Sequence, residues 1–173
     1  MDFKELVQSR RSCRKFTTEE VGSEDLSLLL RAALMSPTSK NKQAWEFVVV
    51  DDKLKIQKLA DSKEHGSQFL REAPLCIVVL GNTSETDCWI EDGAIAAYSI
   101  LLQAEDLGLG ACWVQSRGRG LSDGTTSNDI IHGILDLPDS VDVLCVIGVG
   151  HKVNSQNLKD EDNLKWENVS IAE

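Results

Sequence analysis

The sequence lacks the features of a secreted or membrane-bound protein. Its N-terminus, Met1 to Glu5, carries charges where a signal peptide needs an apolar stretch, and its apolar runs are too short to span a bilayer. The cysteines show no C-x-x-C spacing, and three of them lie inside apolar runs, where a reduced cysteine acts as a small core residue: Cys76, Cys112 and Cys145. We therefore expect a cytoplasmic protein with reduced thiols.

The sequence also lacks the excess of basic residues that is typical of proteins that bind nucleic acids or anionic membranes. The formal net charge is -10, from 28 acidic and 18 basic residues. Such a surface repels phosphate backbones and anionic lipids, so we expect no nucleic acid and no membrane as a partner. Only a local cluster of basic residues could bind an anion.

Metal-binding and common catalytic motifs are absent as well. The three histidines, His65, His132 and His151, are far apart, and none has a cysteine or a carboxylate at ligand spacing. The sequence contains no G-x-S-x-G, no P-loop and no G-x-G-x-x-G. It therefore predicts no metal site, and it gives no support to the hydrolase and nucleotide-binding classes that these motifs mark.

What is present indicates one α+β domain over residues 1–173, since 42% of the residues are hydrophobic and can form one core. Two helices are predicted before the first strand, which argues against a regular βαβ ladder. The predicted helices run over 3–10, from a cap at Ser23 to before Pro37, from a cap at Asp51 or Asp52, over 93–107, and from Ser127 or Asn128 to Leu135. The predicted strands are 45–50, 75–80, 111–114 and 143–149.

Residues 93–107 have almost no polar face, which predicts a helix in the middle of the core. Gly108 is suited to a left-handed cap at its end. The tail from Lys152 to Glu173 is polar, and only a few of its residues can pack: Leu164, Trp166, Val169 and Ile171.

The segment Arg10-Arg11-Ser12-Cys13-Arg14 combines three arginines and a serine where the first helix ends. One interpretation is that cations suit the negative end of a helix dipole. The other is a phosphate site, because a phosphomonoester needs several planar donors and a hydroxyl. The sequence of the segment alone favours neither.

A second polar constellation spans residues 36–47, with the sequence S-P-T-S-K-N-K-Q-A-W-E-F. It can be an ordinary loop between a helix and a strand. It is also dense in hydrogen-bonding groups of the kind that orient a flat heterocycle rich in carbonyls and ring nitrogens.

Together these motifs resemble the nitroreductase-like family of FMN-dependent oxidoreductases. R-R-S-x-R near the N-terminus is followed by a helix and by P-T-S-x-N-x-Q-x-W ahead of a strand. An apolar helix then leads into L-G-L-G-A-C-W at 107–113, and a late strand ends in G-V-G-H at 148–151. The resemblance covers nearly the whole chain in order.

The resemblance implies an FMN site. Arg10 and Ser12 would hold the phosphate and ribityl end, with Arg11 in the same motif, and Arg14 would approach the N1/O2 edge of the flavin, where a positive charge raises its potential. The strand end Gln115-Ser116 matches the segment whose backbone N–H faces flavin N5, and Lys165 matches a C-terminal phosphate-binding base. The loop residues that would reach across from the other subunit are Pro37, Thr38, Ser39 and Asn41. Ser39 and Ser116 stand where the family often has glycine.

The resemblance also implies a three-layer α/β/α sandwich with a mixed, mostly antiparallel sheet, in an intertwined homodimer whose tail, about 152–173, extends over the partner. The implied activity is ping-pong hydride transfer from NADH or NADPH through FMN to a small electron-poor acceptor, such as a nitroaromatic or a quinone, with no side chain as nucleophile or general base. Two alternatives stay open. One is a specialised member that fragments flavin, dehalogenates or dehydrogenates, and the other is a non-catalytic FMN-binding module.

Overall fold

The computed structural model describes residues 1–172, so Glu173, the end of the predicted tail, lies outside the described residues. The helices are α1 (Phe3–Ser9), α2 (Ser23–Leu34), α3 (Lys53–Ala60), α4 (Trp89–Asp106) and α5 (Ser127–Leu135). The strands are β1 (Trp45–Val50), β2 (Leu75–Asn82), β3 (Leu109–Gln115) and β4 (Val141–His151). Short 3₁₀ turns at 39–41, 68–72, 161–163 and 166–168 complete the described elements.

The four strands form one sheet in the order β1-β2-β4-β3, and all neighbouring strands are antiparallel. This confirms the predicted α+β class with a mostly antiparallel sheet. Within residues 1–172 the parallel component is confined to an isolated bridge between Ser12 and Ala111. The sheet order makes β3 an edge strand, with β4 on one side and only that bridge on the other.

Each face of the sheet is covered by a separate hydrophobic cluster, which gives the three predicted layers. Ile56 and Leu59 of α3 and Ile131 of α5 pack on one face. On the other face, Leu29 of α2 and Ile100 of α4 are completely buried. β2 and β4 are apolar almost throughout, because both sides of these central strands are covered.

Two of the predicted helix caps are wrong and one is confirmed. Asp52 accepts a hydrogen bond from the N–H of Lys55 at 2.8 Å, as a cap should. Gly22, not Ser23, precedes α2, and Ser23 is its first helical residue. Thr126 caps α5, one residue before the predicted start, because its hydroxyl accepts from the N–H of Asp129 at 3.1 Å.

α4 begins at Trp89, four residues before the predicted start. Its Ala96, Ala97 and Ile100 are fully buried, but Ile95 and Tyr98 are each 43% exposed. The helix therefore lies in the core along one side, as predicted, and the single chain leaves one apolar stripe of α4 open. As predicted, Gly108 follows α4 with a positive φ of 76°.

The tail runs back past α1. The N–H of Lys159 donates to the carbonyl of Gln8 at 3.1 Å, and the amide of Gln156 donates to the carbonyl of Ser12 at 3.3 Å. Beyond that point the apolar residues of the tail are exposed within the single chain: Leu164, Trp166, Val169 and Ile171.

Candidate functional site at the edge of strand β3

The segment Arg10–Arg14 is fixed against the beginning of β3. Ser12 forms the parallel bridge with Ala111, and the N–H of Cys13 donates to the carbonyl of Ala111 at 3.0 Å. Cys13 is buried over Gly110, where a Cβ atom would lie 2.6 Å from the Cys13 Sγ. Only glycine at position 110 allows this close approach. The cationic segment is therefore part of the sheet edge and not a loose helix end.

Beyond Ala111, the edge of β3 that faces away from β4 pairs with no further strand among residues 1–172. The N–H of Ser116 points towards β4, where it donates to the carbonyl of Leu144 at 3.3 Å. The carbonyl of Gln115 points the other way and accepts from the Nζ of Lys63 at 3.1 Å. Since alternate residues of a strand direct their polar groups to opposite sides, the N–H groups of Trp113 and Gln115 face the open edge.

The side chain of Gln115 is held firmly in place. Its Oε1 accepts from the indole Nε1 of Trp113 at 2.9 Å, and its Nε2 donates to the carbonyl of Arg117 at 2.8 Å. Ser116 is 1% exposed, and its hydroxyl has no hydrogen-bond partner among the described residues. The structure thus separates the two predicted residues: the N–H of Ser116 is committed to β4, and that of Gln115 is directed outwards.

Basic groups converge on this edge around Cys112. Burial raises the pKa of the Cys112 thiol, and the positive charges of Arg14 and Arg10 and a hydrogen bond from Ser12 oppose that increase. The guanidinium of Arg14 lies 6.0 Å from the ring centroid of Phe69. The Nε of Arg10 is buried and has no partner in the described part of the chain. Three predicted site residues, Arg10, Ser12 and Arg14, are therefore brought together at this edge, and Arg11 is exposed beside them as Ser12 and Arg14 are.

Lys63 is a member of this cluster that the sequence analysis missed. Burial and the neighbouring charge of Arg119 lower the pKa of its ammonium group, and Cys112 has the opposite effect. A single lysine in a polar stretch between α3 and the next turn carries no recognisable signal. Only the folded chain brings it to the carbonyl of Gln115.

A second missed residue is Lys159. Its Nζ donates to the carbonyl of Val7 at 2.8 Å, near the end of α1. Burial and the charges of Arg10 and Arg11 lower the pKa of the Lys159 ammonium group. The predicted phosphate-binding base, Lys165, is instead exposed in the tail, with no ion pair within 4.0 Å among residues 1–172. The basic tail residue beside the arginines is thus Lys159.

The predicted loop 37–41 lies elsewhere in the same chain, at the beginning of α4. The N–H of Ser39 donates to Oδ1 of the buried Asp92 at 2.8 Å, and the hydroxyl of Thr38 accepts from the N–H of Gln43 at 3.0 Å. Pro37 and Asn41 are exposed. No hydrogen bond or ion pair connects the loop to Arg10–Arg14 within residues 1–172.

Comparisons with known proteins identify the family of this chain. The sequence profile of the nitroreductase family matches residues 7–64 and 57–151. The chain belongs to the nitroreductase family. An FMN-dependent nitroreductase from Clostridium difficile R20291 has the same fold, with a TM-score of 0.96, 38% identity and 99% of each chain covered. A nitroreductase family protein from Clostridium difficile 630 follows with a TM-score of 0.83, 26% identity and 98% of each chain covered.

A relative from Bacillus subtilis named FMN reductase (NADPH) is 26% identical over 90% of this chain and 68% of its own length. Ser39 and Ser116 are the two residues for which the resemblance described above implies glycine in many members. Neither Ser39 nor Ser116 of this nitroreductase-family chain has a positive φ. The backbone at these positions therefore does not require glycine.

Within residues 1–172, no helix of this nitroreductase-family chain is long and apolar enough to cross a membrane, and no three metal-ligating side chains cluster together. The five thiols are unpaired.

Proposed function

We propose that this nitroreductase-family chain binds FMN along the open edge of β3 and works as an NAD(P)H-dependent oxidoreductase. The observation that carries the proposal is the cationic segment at that edge. Arg10, Ser12 and Arg14 lie together there, and the buried Nε of Arg10 has no partner among the described residues. A buried donor without a partner is costly, and a phosphate oxygen would satisfy it.

The same residues fit the different parts of FMN. Arg10, Arg11 and Ser12 would hold the phosphate and ribityl end, with Lys159 as the added base. Arg14 would contribute positive charge near the N1/O2 edge, and the outward N–H of Gln115 would donate to N5. The backbone N–H of Ser116 would not contact the flavin, because it donates to the carbonyl of Leu144. Ser116 would instead help to hold the end of β3 in place.

The chemistry would belong to FMN, which when bound accepts a hydride from NADH or NADPH and passes electrons to a second substrate after the nicotinamide has left. The protein residues would bind the cofactor, orient it and set its potential. Small electron-poor molecules, such as nitroaromatics and quinones, are the proposed acceptors. Named relatives support this activity class, since they include an FMN-dependent nitroreductase and an FMN reductase (NADPH).

We propose further that the whole chain, 1–173, forms one domain and acts in the cytoplasm as an intertwined homodimer. Two apolar surfaces of the single chain support the dimer: the stripe of α4 with Ile95 and Tyr98, and the tail with Trp166 and Ile171. In such a dimer, Pro37, Thr38, Ser39 and Asn41 would reach the partner's flavin, and Lys165 in the tail would approach its phosphate. Light scattering on the full chain tests the oligomeric state.

The experiment for the function uses the purified protein under anaerobic conditions. We expect a yellow protein that releases FMN on denaturation, loses its colour with NADH or NADPH, and regains it with a nitroaromatic or a quinone. A flavin that neither nucleotide reduces, but that another substrate does, would favour one of the specialised activities. A flavin that no substrate reduces would indicate a binding module, and a protein that cannot take up FMN would contradict the proposal.

A further inference from the structure

A cavity of about 800 Å³ begins where β3 ends. Ser116 forms one wall, the loop 117–126 forms the rim, and the starts of α4, α5 and β4 close the other sides. The Arg10–Arg14 segment is not among its lining residues, so the cavity is separate from the proposed phosphate end of the FMN site. It lies next to Gln115, the residue proposed to face flavin N5.

Several hydrogen-bond donors line this cavity. Arg117 and Arg119 both line it, and neither has a carboxylate within 4.0 Å in the described part of the chain. The Oδ1 of Asn128 accepts from the N–H of Val143 at 2.8 Å, which leaves the amide NH₂ of Asn128 to donate elsewhere. The hydroxyl of Ser116 is buried in the wall without a partner. A ligand with several acceptor oxygens would satisfy these groups.

The arginines are oriented by their surroundings. The guanidinium of Arg117 lies 6.0 Å from the ring centroid of Trp89, which itself lines the cavity. The Nη1 of Arg119 donates to the carbonyl of Gly118 at 3.1 Å. A guanidinium that is held against an aromatic ring loses less freedom when it binds an anion than one that moves freely in water.

Two carboxylates also line the cavity, and they have different roles. Asp129 is engaged at the start of α5, where its Oδ2 accepts from the Thr126 hydroxyl at 2.6 Å. Within residues 1–172, the side chain of Asp142 makes no hydrogen bond or ion pair. Lys63 does not line the cavity but adds positive charge near it, since it is close enough to Arg119 for the two charges to repel. Asp142 is thus the one lining carboxylate that would oppose the binding of an anion without already being satisfied.

We propose that Arg117 and Arg119 bind a phosphate group of the reducing nicotinamide dinucleotide, while its nicotinamide ring reaches the flavin near Gln115. This inference rests on the proposed function, because it assigns a subsite for the reductant of that reaction. In a chain of net charge -10, an anionic dinucleotide needs a local cationic region. The phosphate is either the diphosphate that NADH and NADPH share or the 2′-phosphate that only NADPH carries.

The test compares the reductants NADH and NADPH with reduced nicotinamide riboside, which has the same reactive ring and no phosphate. In Arg117→Gln and Arg119→Gln, KM for the dinucleotide should rise about three- to tenfold per arginine, as expected for a partly exposed charged hydrogen bond. The rate with reduced nicotinamide riboside should stay unchanged. If KM rises for both NADH and NADPH, the arginines bind the diphosphate. If KM rises for NADPH alone, they bind the 2′-phosphate.

Two controls complete the test. Arg31→Gln removes an exposed arginine on α2, far along the chain from the cavity, and should change nothing. Asp142→Asn removes the opposing charge and should lower KM for the dinucleotide severalfold. Three results for the arginine variants would each overturn the inference. They are an equally large rise in KM for reduced nicotinamide riboside, an unchanged KM for the dinucleotides, and a weaker affinity for FMN with an unchanged affinity for the reductant.

The wild-type protein provides a second measurement if an arginine variant does not fold. Raising the ionic strength should increase KM for the dinucleotide and leave reduced nicotinamide riboside unaffected. Identical salt responses would overturn the inference. Failure of the proposed function would look different, because an FMN-loaded protein would then accept hydride from none of the three reductants.

Discussion

The backbone N–H of Ser39 donates to Oδ1 of Asp92 at 2.8 Å, across 53 residues of sequence. Asp92 is 4% exposed, and its Oδ2 has no partner among the described residues. It lies in the first turn of α4, where the positive end of the helix dipole favours a carboxylate. The loop that it holds is strained, since Lys40, Asn41 and Gln43 all have φ values near 50°.

Removing this carboxylate should release the loop. We expect Asp92→Ala to lower the free energy of unfolding by about 1–3 kcal/mol, because a charge-assisted hydrogen bond is lost. We also expect weaker flavin binding, since Ser39 is a proposed FMN contact. Asp92→Asn should restore most of both properties, because its amide oxygen can still accept from Ser39. Urea unfolding and FMN titration measure the two effects.

The matched control for Asp92 is Asp52→Ala. Asp52 also accepts a backbone N–H at 2.8 Å, from Lys55 at the start of α3. This substitution should lower stability and leave FMN affinity unchanged. If Asp52→Ala weakened FMN binding as much as Asp92→Ala does, the loop would have no special role.

Arg10→Ala should weaken FMN binding about ten- to a hundredfold, the range expected for loss of a charged hydrogen bond to a phosphate. FMN dissociation constants, measured by flavin fluorescence, check this. Arg31→Ala, an exposed arginine on α2, is the control and should bind FMN normally. If the Arg10 variant and the wild type bound FMN equally well, the alternative interpretation would be favoured, in which the arginines only interact with the negative end of the helix dipole.

Arg14→Ala should change the reduction potential of the bound flavin more than it changes the affinity for FMN. Its positive charge would stabilise the anionic reduced flavin, so its loss should lower the two-electron potential. A shift of about 30 mV corresponds to roughly 1.4 kcal/mol. Xanthine oxidase-coupled titration with a reference dye measures the shift. A slower reduction by NADH at an unchanged potential would contradict this role.

Lys159 predicts a pH dependence of FMN binding. Burial and the charges of Arg10 and Arg11 lower the pKa of its ammonium group below the ordinary 10.5. The protonated form of Lys159 binds a phosphate better than the neutral form. FMN affinity should therefore be highest at neutral pH and fall as the pH rises through this lowered pKa. Lys159→Met should bind FMN more weakly at neutral pH and lose that alkaline decrease, whereas Lys165→Met should keep it. The opposite pattern would assign the phosphate site to Lys165.

The buried thiol of Cys76 predicts a loss of stability in alkali. Burial raises its pKa from 9.0 to about 12. Between these values the unfolded chain ionises and the folded chain does not, so unfolding becomes more favourable as the pH rises. Cys76→Ala should reduce the slope of unfolding free energy against pH by up to about 1.4 kcal/mol per unit.

Much of the fold could be predicted because its strands are buried on both faces. β1 has the predicted bounds, β2 starts at the predicted residue and extends two residues past its predicted end, and β4 extends two residues at both ends, because the pairing continues past the apolar run. The start of α4 was missed because Trp89 precedes the apolar stretch that signalled the helix. Capping at Gly22 and Thr126 depends on local backbone angles that composition does not reveal.

The site could be predicted only in part. The Arg10–Arg14 segment was recognisable, since four of its five residues are the type a phosphate site needs. Lys63 and Lys159 were not, because each reaches the site through contacts across the fold, to Gln115 and to Val7. The spacing of residues along the sequence does not reveal contacts between residues that are far apart in the chain. Asp92 was missed for the same reason, because it precedes the predicted helix over 93–107 and its contact with Ser39 spans 53 residues of sequence.

The outward-facing groups of Trp113 and Gln115 have a consequence for handling the protein. An unpaired strand edge is a template on which another chain can add a strand. If FMN lies along this edge, it also shields the edge from such pairing. Protein produced faster than the cell can supply flavin would then self-associate, and adding riboflavin to the growth medium should increase the yield of dispersed material.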